Sequence, residues 1–311
     1  MPIHLQPMTR REFLIRSTAA GAALLLGPRA FGADGAGESD PHRFALLSDT
    51  HVAGDRTAVN RGVNMSEHLA QAVKEITALG PKPAGVIVSG DCALDKGLVG
   101  DYRQFAGLVN PLGAAALPVH LALGNHDHRA NVLAELKRHC PASSPVAGKC
   151  VSIVSAARAN WFLLDSLEKV KATPGLLGKA QLAWLAKALD AHTDKPAIVV
   201  AHHDPQWPGK GASGRPRRIS GLKDTEALFD VLASRRHVKA YVYGHTHRWG
   251  HTERDGLHLI NVPATAYVFG KSHPSAWVIA QLQPKGISLE LRCLDAKHKA
   301  HGQKVELAWR S

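Results

Sequence analysis

The chain has 311 residues, enough for one large α/β domain with a well-buried core. Hydrophobic residues make up 45% and charged residues 21%, so a globular soluble protein is expected; aromatics, at 5%, exclude a core built on aromatic clusters. The formal charge is +12, yet no long lysine or arginine run marks a nucleic-acid tail.

At the N-terminus, Thr9-Arg10-Arg11-Glu12-Phe13-Leu14 precedes a weakly apolar stretch, residues 17–27, too short to span a bilayer. Small residues follow at Ala30-Phe31-Gly32. The segment looks like a twin-arginine export signal over residues 1–33, then a polar linker over 34–42 and one domain over 43–311. The export machinery is then a partner, and the periplasm or the exterior the destination. Arg10, Arg11, Arg16 and Arg29 minus Glu12 give the leader +3, which leaves 12 − 3 = +9 for the rest. Such a field concentrates anions: phosphate esters, nucleic acid or an anionic membrane surface. No later run is long and apolar enough to cross a membrane, so stable insertion is not expected.

Apolar runs then alternate with helical patterns. Residues 44–47 read as a buried strand ending in Ser48-Asp49-Thr50-His51, and 67–79 as an amphipathic helix. A second strand, 85–88, runs into Gly90-Asp91, and 102–108 has helical spacing. A third, 119–123, ends in Gly124-Asn125-His126-Asp127 before a helix at 130–138. Strand 161–164 leads to helix 179–189, whose Leu182, Leu185 and Leu189 form one core-facing stripe. Strand 197–201 meets His202-His203, and an irregular stretch, 204–220, is long enough to be functional. After helix 225–234, strand 240–243 ends in Gly244-His245-Thr246-His247, and strand 257–262 completes the set. Short strands between helices predict an α/β sandwich with the helices outside.

Sites in open α/β sheets form at the carboxyl ends of strands. Five ends here carry Asp, Asn or His, and the donors suit Mn, Fe or Zn. Asp-x-His and His-x-His let two donors of one turn face the same cavity, and the preceding glycines permit sharp turns. Any one of these pieces alone is more often structural. The four cysteines include no Cys-x-x-Cys pair, so a thiolate metal site is not expected. Cys92 reads as a small buried filler. Cys140 and Cys150, in one Pro/Ser/Gly-rich segment, are either bridged or free.

All five pieces in this order resemble the calcineurin-like metallophosphoesterase superfamily, with its D-x-H, G-D, G-N-H-[DE], strand-end His and G-H-x-H motifs, over residues 43–267. The resemblance implies a four-layer α/β/β/α sandwich and two divalent or trivalent ions. Asp49, His51, Asp91 and His247 would hold the first; Asp91, Asn125, His202 and His245 the second, with Asp91 bridging. His202 closes its strand and is preferred over His203, the reverse remaining open. The implied reaction is phosphoester hydrolysis. Two ions about 3.5–4 Å apart lower the pKa of a bridging water, whose hydroxide attacks phosphorus. His126 matches the histidine that contacts the phosphate or the leaving oxygen, and general acid catalysis typically contributes ~10²–10⁴-fold. Asp127 is expected to orient His126, or to cap the helix that follows.

Purple acid phosphatases place a Tyr three residues after the bridging Asp; Leu94 stands there. Tyr102-Arg103-Gln104-Phe105, Gly124-Asn125-His126-Asp127-His128-Arg129 and Gly178-Lys179-Ala180-Gln181-Leu182-Ala183-Trp184-Leu185 look like bacterial class III cyclic-nucleotide and glycerophosphodiester phosphodiesterases. The match departs at His128, where that branch commonly has an acid. Expected substrate contacts are His128 and Arg129, with Trp207 and the loop cations Lys210, Arg215, Arg217 and Arg218 as further candidates or as solvated surface. The substrate expected is a small phosphodiester. A phosphomonoesterase is the first rival and a non-catalytic metal protein another; for a nuclease the interleaved aromatic stacking groups are scarce.

Overall fold

The computed structural model describes residues 38–141, 143–210, 214–216, 218–270 and 272–311. The export segment with Arg10 and Arg11, and the loop residue Arg217, lie outside the described residues. Residues Glu38–Ser311 form one compact unit.

Two six-stranded sheets dominate. The first has the order β14 (Lys304–Ala308), β13 (Gly286–Cys293), β12 (Ala276–Gln283), β1 (Ser39–Leu47), β4 (Lys82–Val88), β5 (Val119–Leu121). The second has the order β10 (Gly250–Arg254), β11 (Leu257–Asn261), β9 (Val238–Tyr243), β8 (Ala197–Val200), β7 (Asn160–Leu163), β6 (Ser152–Ser155). In the first, β1, β4 and β5 are parallel, joined through α1 (Met65–Thr77) and α2 (Val99–Ala114). In the second, β7, β8 and β9 are parallel, joined through α4 (Lys179–Ala191) and α5 (Thr225–Ala233). The short α3 (Arg129–Glu135) follows β5.

Layering follows from the period of two along each strand. On β1, Phe44 and Leu46 turn into a core shared with Trp161, Val200, Val242 and Ile260 of the other sheet. Ala45 and Leu47 turn the opposite way, against Leu69 and Val73 of α1 and Phe105 of α2. On the far side Phe162, Val199 and Tyr241 lie under Leu185 of α4 and Leu228 and Leu232 of α5. The layers are therefore helix, sheet, sheet, helix, as expected. Strands covered on both faces read as unbroken apolar runs, which made them legible. Each fully buried Leu, Val or Phe contributes roughly 1.5–3 kcal/mol.

Three differences from expectation stand out. β1 begins at Ser39, inside the stretch expected as linker, because Ser39 and Asp40 pair with Lys82 and Pro83. The strand set does not end at residue 262: β12 (Ala276–Gln283), β13 (Gly286–Cys293) and β14 (Lys304–Ala308) extend the first sheet as an antiparallel meander. In β13 polar residues alternate with buried ones and β14 is mostly exposed, while β12 opens on an apolar run, residues 276–280, of the same kind as the strands expected. Edge strands β6 and β10 are only partly buried, so no solid apolar run announces them. β11 (Leu257–Asn261) matches expectation, and β2 (Val59–Asn60) and β3 (Val63–Asn64) form a small hairpin before α1. The four cysteines are free thiols, Cys92, Cys150 and Cys293 buried and Cys140 partly so. Among the described residues no helix is long and apolar enough to cross a membrane.

Candidate metal centre

The turns after β1, β4, β5, β8 and β9 meet at one rim of the sandwich. Backbone hydrogen bonds tie them together past the strand ends: Asp49 N–H to Gly90 O (3.0 Å), His51 N–H to Asp91 O (3.0 Å) and Gly244 N–H to His202 O (3.0 Å). Asp49, His51, Asp91, His245 and His247 all have positive φ, between 44° and 66°. Such conformations cost about 1–3 kcal/mol each and persist only where the surroundings over-determine them. Here the pairing between turns does so. Two glycines matter through closeness. A Cβ on Gly124 would lie 2.1 Å from Asp91 Oδ1, and one on Gly244 would lie 1.8 Å from Ser48 Oγ.

The donors converge in two groups around Asp91. His51 Nε2 and His247 Nε2 are 3.2 Å apart, with Asp49 Oδ1 3.3 Å from His247 Nε2 and Asp91 Oδ2 3.7 Å from His51 Nε2. On the other side His202 Nε2 is 3.2 Å from both His245 Nδ1 and Asp91 Oδ2. Asp91 Oδ2 thus faces both groups, while Asp91 Oδ1 accepts from His126 N–H at 2.8 Å.

Each histidine commits its other nitrogen to a backbone carbonyl. His51 Nδ1 pairs with Leu94 O (3.2 Å), His202 Nδ1 with Ser89 O (2.9 Å), His245 Nε2 with Ser220 O (3.0 Å) and His247 Nδ1 with Tyr267 O (2.6 Å). A carbonyl can only accept, so in the neutral imidazoles these nitrogens carry the proton and the opposite ones are left as donors of electron pairs. That is the usual outer support of a metal-ligating imidazole. Asp49 Oδ1 and Asn125 Oδ1 are buried with no hydrogen-bond partner. Buried polar atoms are rarely orphaned, and a cation accounts for both. The mixed oxygen and imidazole donor set fits a first-row metal.

Charge reinforces this. Burial alone would raise the Asp91 carboxyl, but His202, His51 and His126 hold it well below the usual carboxylate range. Burial alone would lower His202, yet Asp91 and Asp49 outweigh it and push its pKa up to about 9. A concentrated negative charge therefore sits between the imidazoles.

His203 lies beside that pair, its ring centroid 4.7 Å from that of His245, and with His202 and His245 it forms a group of potential metal donors within 4.8 Å of one another. Its Nδ1 is 2.8 Å from Ser166 Oγ, and its Nε2 is buried without a partner. The contact with Asp91 belongs to His202, the residue preferred at the strand end.

Several expected roles change. His126 lies in the cleft, its ring centroid 5.0 Å from that of His51. Its Nδ1 donates to Asp95 O at 2.9 Å, with Asp95 Oδ1 at 3.7 Å. Asp127, expected to orient it, is fully buried elsewhere and accepts from Cys92 N–H (3.1 Å), Gly124 N–H (3.0 Å) and Tyr102 Oη–H (3.2 Å). Burial and neighbouring Asp91 raise its pKa to about 6. Asp127 therefore binds the β4 and β5 turns together. Nor does it cap α3: the cap is His128, whose Nδ1 accepts from Asn131 N–H at 3.4 Å. Arg129, expected on substrate, forks onto buried Asp165 at 2.6 and 2.9 Å and also donates to Leu167 O. Neither His128 nor Arg129 lines the cleft. Trp207 packs against Phe229 (4.9 Å) under Arg254, and Lys210, Arg215 and Arg218 are exposed outside the cleft. The loop acts through other residues, since Asp204, Gln206 and Ser220 line the cleft.

Four contributors were missed. Asp95 is joined to Lys171 at 2.8 Å, and Lys171 N–H donates to Asn125 O at 2.6 Å, so a distant loop clasps this turn. Tyr267 and Phe269 wall the cleft, of about 520 Å³. Asp95 alone had a local signal, an acid just after the Gly-Asp motif. The others come from loops with no motif at all.

The comparisons agree with this geometry. The calcineurin-like phosphoesterase family matches residues 42–249. The chain is 29% identical over 225 residues, 72% of its length and 76% of the relative's, to the 3',5'-cyclic adenosine monophosphate phosphodiesterase CpdA of Pseudomonas aeruginosa. It is 28% identical over 203 residues, 65% of its length and 70% of the relative's, to the probable glycerophosphodiester phosphodiesterase GpdQ of Arcobacter nitrofigilis. Among solved structures, a dimetal phosphatase from Danio rerio superposes with a TM-score of 0.66 at 18% identity, covering 87% of this chain and all (100%) of that one, a likeness of fold. A fold, a rim of converging Asp, Asn and His donors and a match across most of the described chain lead to one assignment: the chain belongs to the calcineurin-like phosphoesterase family of metal-dependent hydrolases.

Proposed function

We propose that the protein hydrolyses a small phosphodiester, of cyclic-nucleotide or glycerophosphodiester type, at a binuclear metal centre. The carrying observation is that Asp91 Oδ2 faces two separate groups of donors, His51 with His247 and His202 with His245. In this reading Asp49, His51, His247 and Asp91 hold one ion, and Asp91, Asn125, His202 and His245 the other. Mn, Fe or Zn at these positions would supply Lewis acidity and lower the pKa of an attacking water.

The remaining work falls to side chains of this chain. His126 keeps its Nδ1 proton on Asp95 O, which leaves Nε2 for the leaving oxygen. With Nε2 protonated, it hands that proton to the departing alkoxide and its ring returns to neutral. Asp95 sets the tautomer and the orientation of the ring; Lys171 holds Asp95 in turn. The walls at Tyr267 and Phe269 narrow access to the reacting groups.

Diester preference draws support from the named activities of the relatives and from the segments at 102–105, 124–129 and 178–185 that look like class III phosphodiesterases, while Leu94 counts against a purple phosphatase. The test compares bis(p-nitrophenyl) phosphate with p-nitrophenyl phosphate on metal-loaded protein. Faster turnover of the diester is expected, and a large monoester preference would overturn the reading. Export rests on Thr9-Arg10-Arg11-Glu12-Phe13-Leu14, the weakly apolar stretch 17–27 and the small residues Ala30-Phe31-Gly32. Mass spectrometry of the periplasmic protein should find a start after about residue 33; a mature chain still beginning at Met1 would refute it.

A further inference from the structure

Four large hydrophobic side chains are exposed among the described residues: Val59, Leu98, Leu133 and Phe269. Scattered exposed residues of this kind need no explanation. Phe269 differs by its place. It is the only aromatic ring among the four, 58% exposed, and of the four only it lines the metal cleft. Its ring centroid is 4.3 Å from that of His247, whose Nε2 faces the metal centre, at an interplanar angle of 33°. Tyr267 stands beside it, stacked on His51 at 5.1 Å.

A cation extends this surface beyond the residues that line the cleft. The guanidinium of Arg61 lies 4.9 Å from the Phe269 centroid and 5.6 Å from that of Tyr267. Arg61 and Gly62 form the tip of the β2–β3 hairpin with φ of 51° and 78°, the conformation of a tight two-residue turn. Among the described residues Arg61 makes no ion pair and no side-chain hydrogen bond, although it is exposed. Its charge is held by aromatic faces rather than by an acid, so it remains available to a ligand. Aromatic rings and guanidinium planes are the surfaces on which flat heterocycles stack.

We propose that Phe269 and Arg61 form a stacking ledge that receives the planar base of a nucleotide ester whose phosphate lies at the metal centre. The inference rests on the phosphodiesterase reading and sharpens it: the ledge selects base-bearing esters over esters of glycerol, which offer nothing flat to stack. Phe269 and Arg61 act in specificity, and the acid and metal-holding groups do the chemistry.

The experiment uses the metal-loaded full-length protein and its F269A, F269L, F269W and R61A variants, each first checked for thermal midpoint and metal content. Two substrates are compared, cyclic AMP and glycerophosphoethanolamine. The ratio of their kcat/KM values should fall about tenfold in F269A and F269L, carried by KM of cyclic AMP. F269W should restore it, and R61A should lower it by about threefold. Because Arg61 is at an exposed hairpin tip, R61A keeps the test alive if the Phe269 variants fold poorly. An unchanged ratio in F269A, or equal losses on both substrates, would overturn the ledge. If wild type turns over neither ester, the phosphodiesterase reading fails separately, and calorimetry decides the ledge. AMP should then bind more tightly than ribose 5-phosphate to wild type, and the gap should close in F269A; equal affinity for the two in wild type would overturn it.

Discussion

The floor and the wall of the cleft are built on opposite principles. On the floor, Asp49, Asp91 and His202 are buried, each with several charged or polar neighbours, on turns whose backbones hydrogen-bond to one another. No atom there can move without disturbing another strand end. On the wall Phe269 is exposed with Tyr267 buried beside it, and around the edge Arg61 and Lys171 are exposed and Asp95 half-buried, held by a few side-chain contacts. The difference separates two tasks. A charged site in a low dielectric needs rigid, fully partnered groups, because an unpaired charge there is costly. A wall that meets variable substrate parts needs only shape and a few contacts, so it can change without touching the chemistry.

Substitutions can break that division or sharpen it. The largest effect belongs to D91N, which removes the charge facing both donor groups. Metal content should fall by up to two ions and kcat/KM by more than about 10³-fold. Removing the metal with a chelator should do the same and lower the thermal midpoint, since ions bound only by the folded state stabilise it. D91N with normal activity would dissolve the binuclear reading.

Next comes H126A, which should keep its metal while losing about 10²–10⁴-fold in kcat. D95A should lose less, because the bond to His126 Nδ1 comes from the Asp95 backbone carbonyl. A loss in D95A as large as in H126A would move Asp95 from the wall to the machinery.

A smaller effect on turnover, though not on stability, is expected of R129M. It leaves Asp165 buried without its cation, which costs on the order of 3 kcal/mol, while KM should hardly change. Denaturant unfolding reads the first and steady-state kinetics the second. A raised KM in a fully stable R129M protein would restore Arg129 as a substrate contact.

The misreading of Asp127 and Arg129 has one cause. Asp127 closes the Gly-Asn-His-Asp motif and Arg129 follows it by two residues, and closeness in sequence does not make a shared task. In the folded chain a residue next to a ligand points away from it when the turn reverses. Asp127 turns back to the Cys92 and Gly124 amides, and Arg129 reaches across to Asp165 in the turn after β7. The residue that does support His126, Asp95, is 31 positions away in the chain.

The sequence alone carries seven of the strands, the α-helices around them and the rim on which the chemistry sits, while the seven residues proposed to hold metal come from the resemblance to the metallophosphoesterase motifs. These are legible because local rules govern them: buried parallel strands are continuous apolar runs, and donors in Asp-x-His or His-x-His turns share a face. The tertiary structure alone decided which acid supports which imidazole, what walls the cleft, and that a C-terminal meander completes the first sheet. The first two depend on contacts between segments distant in the chain, such as Arg61 with Phe269 and Lys171 with Asp95, which leave no periodicity for a sequence to display; the meander has the alternation of strands, but its pairing to β1 is a long-range contact.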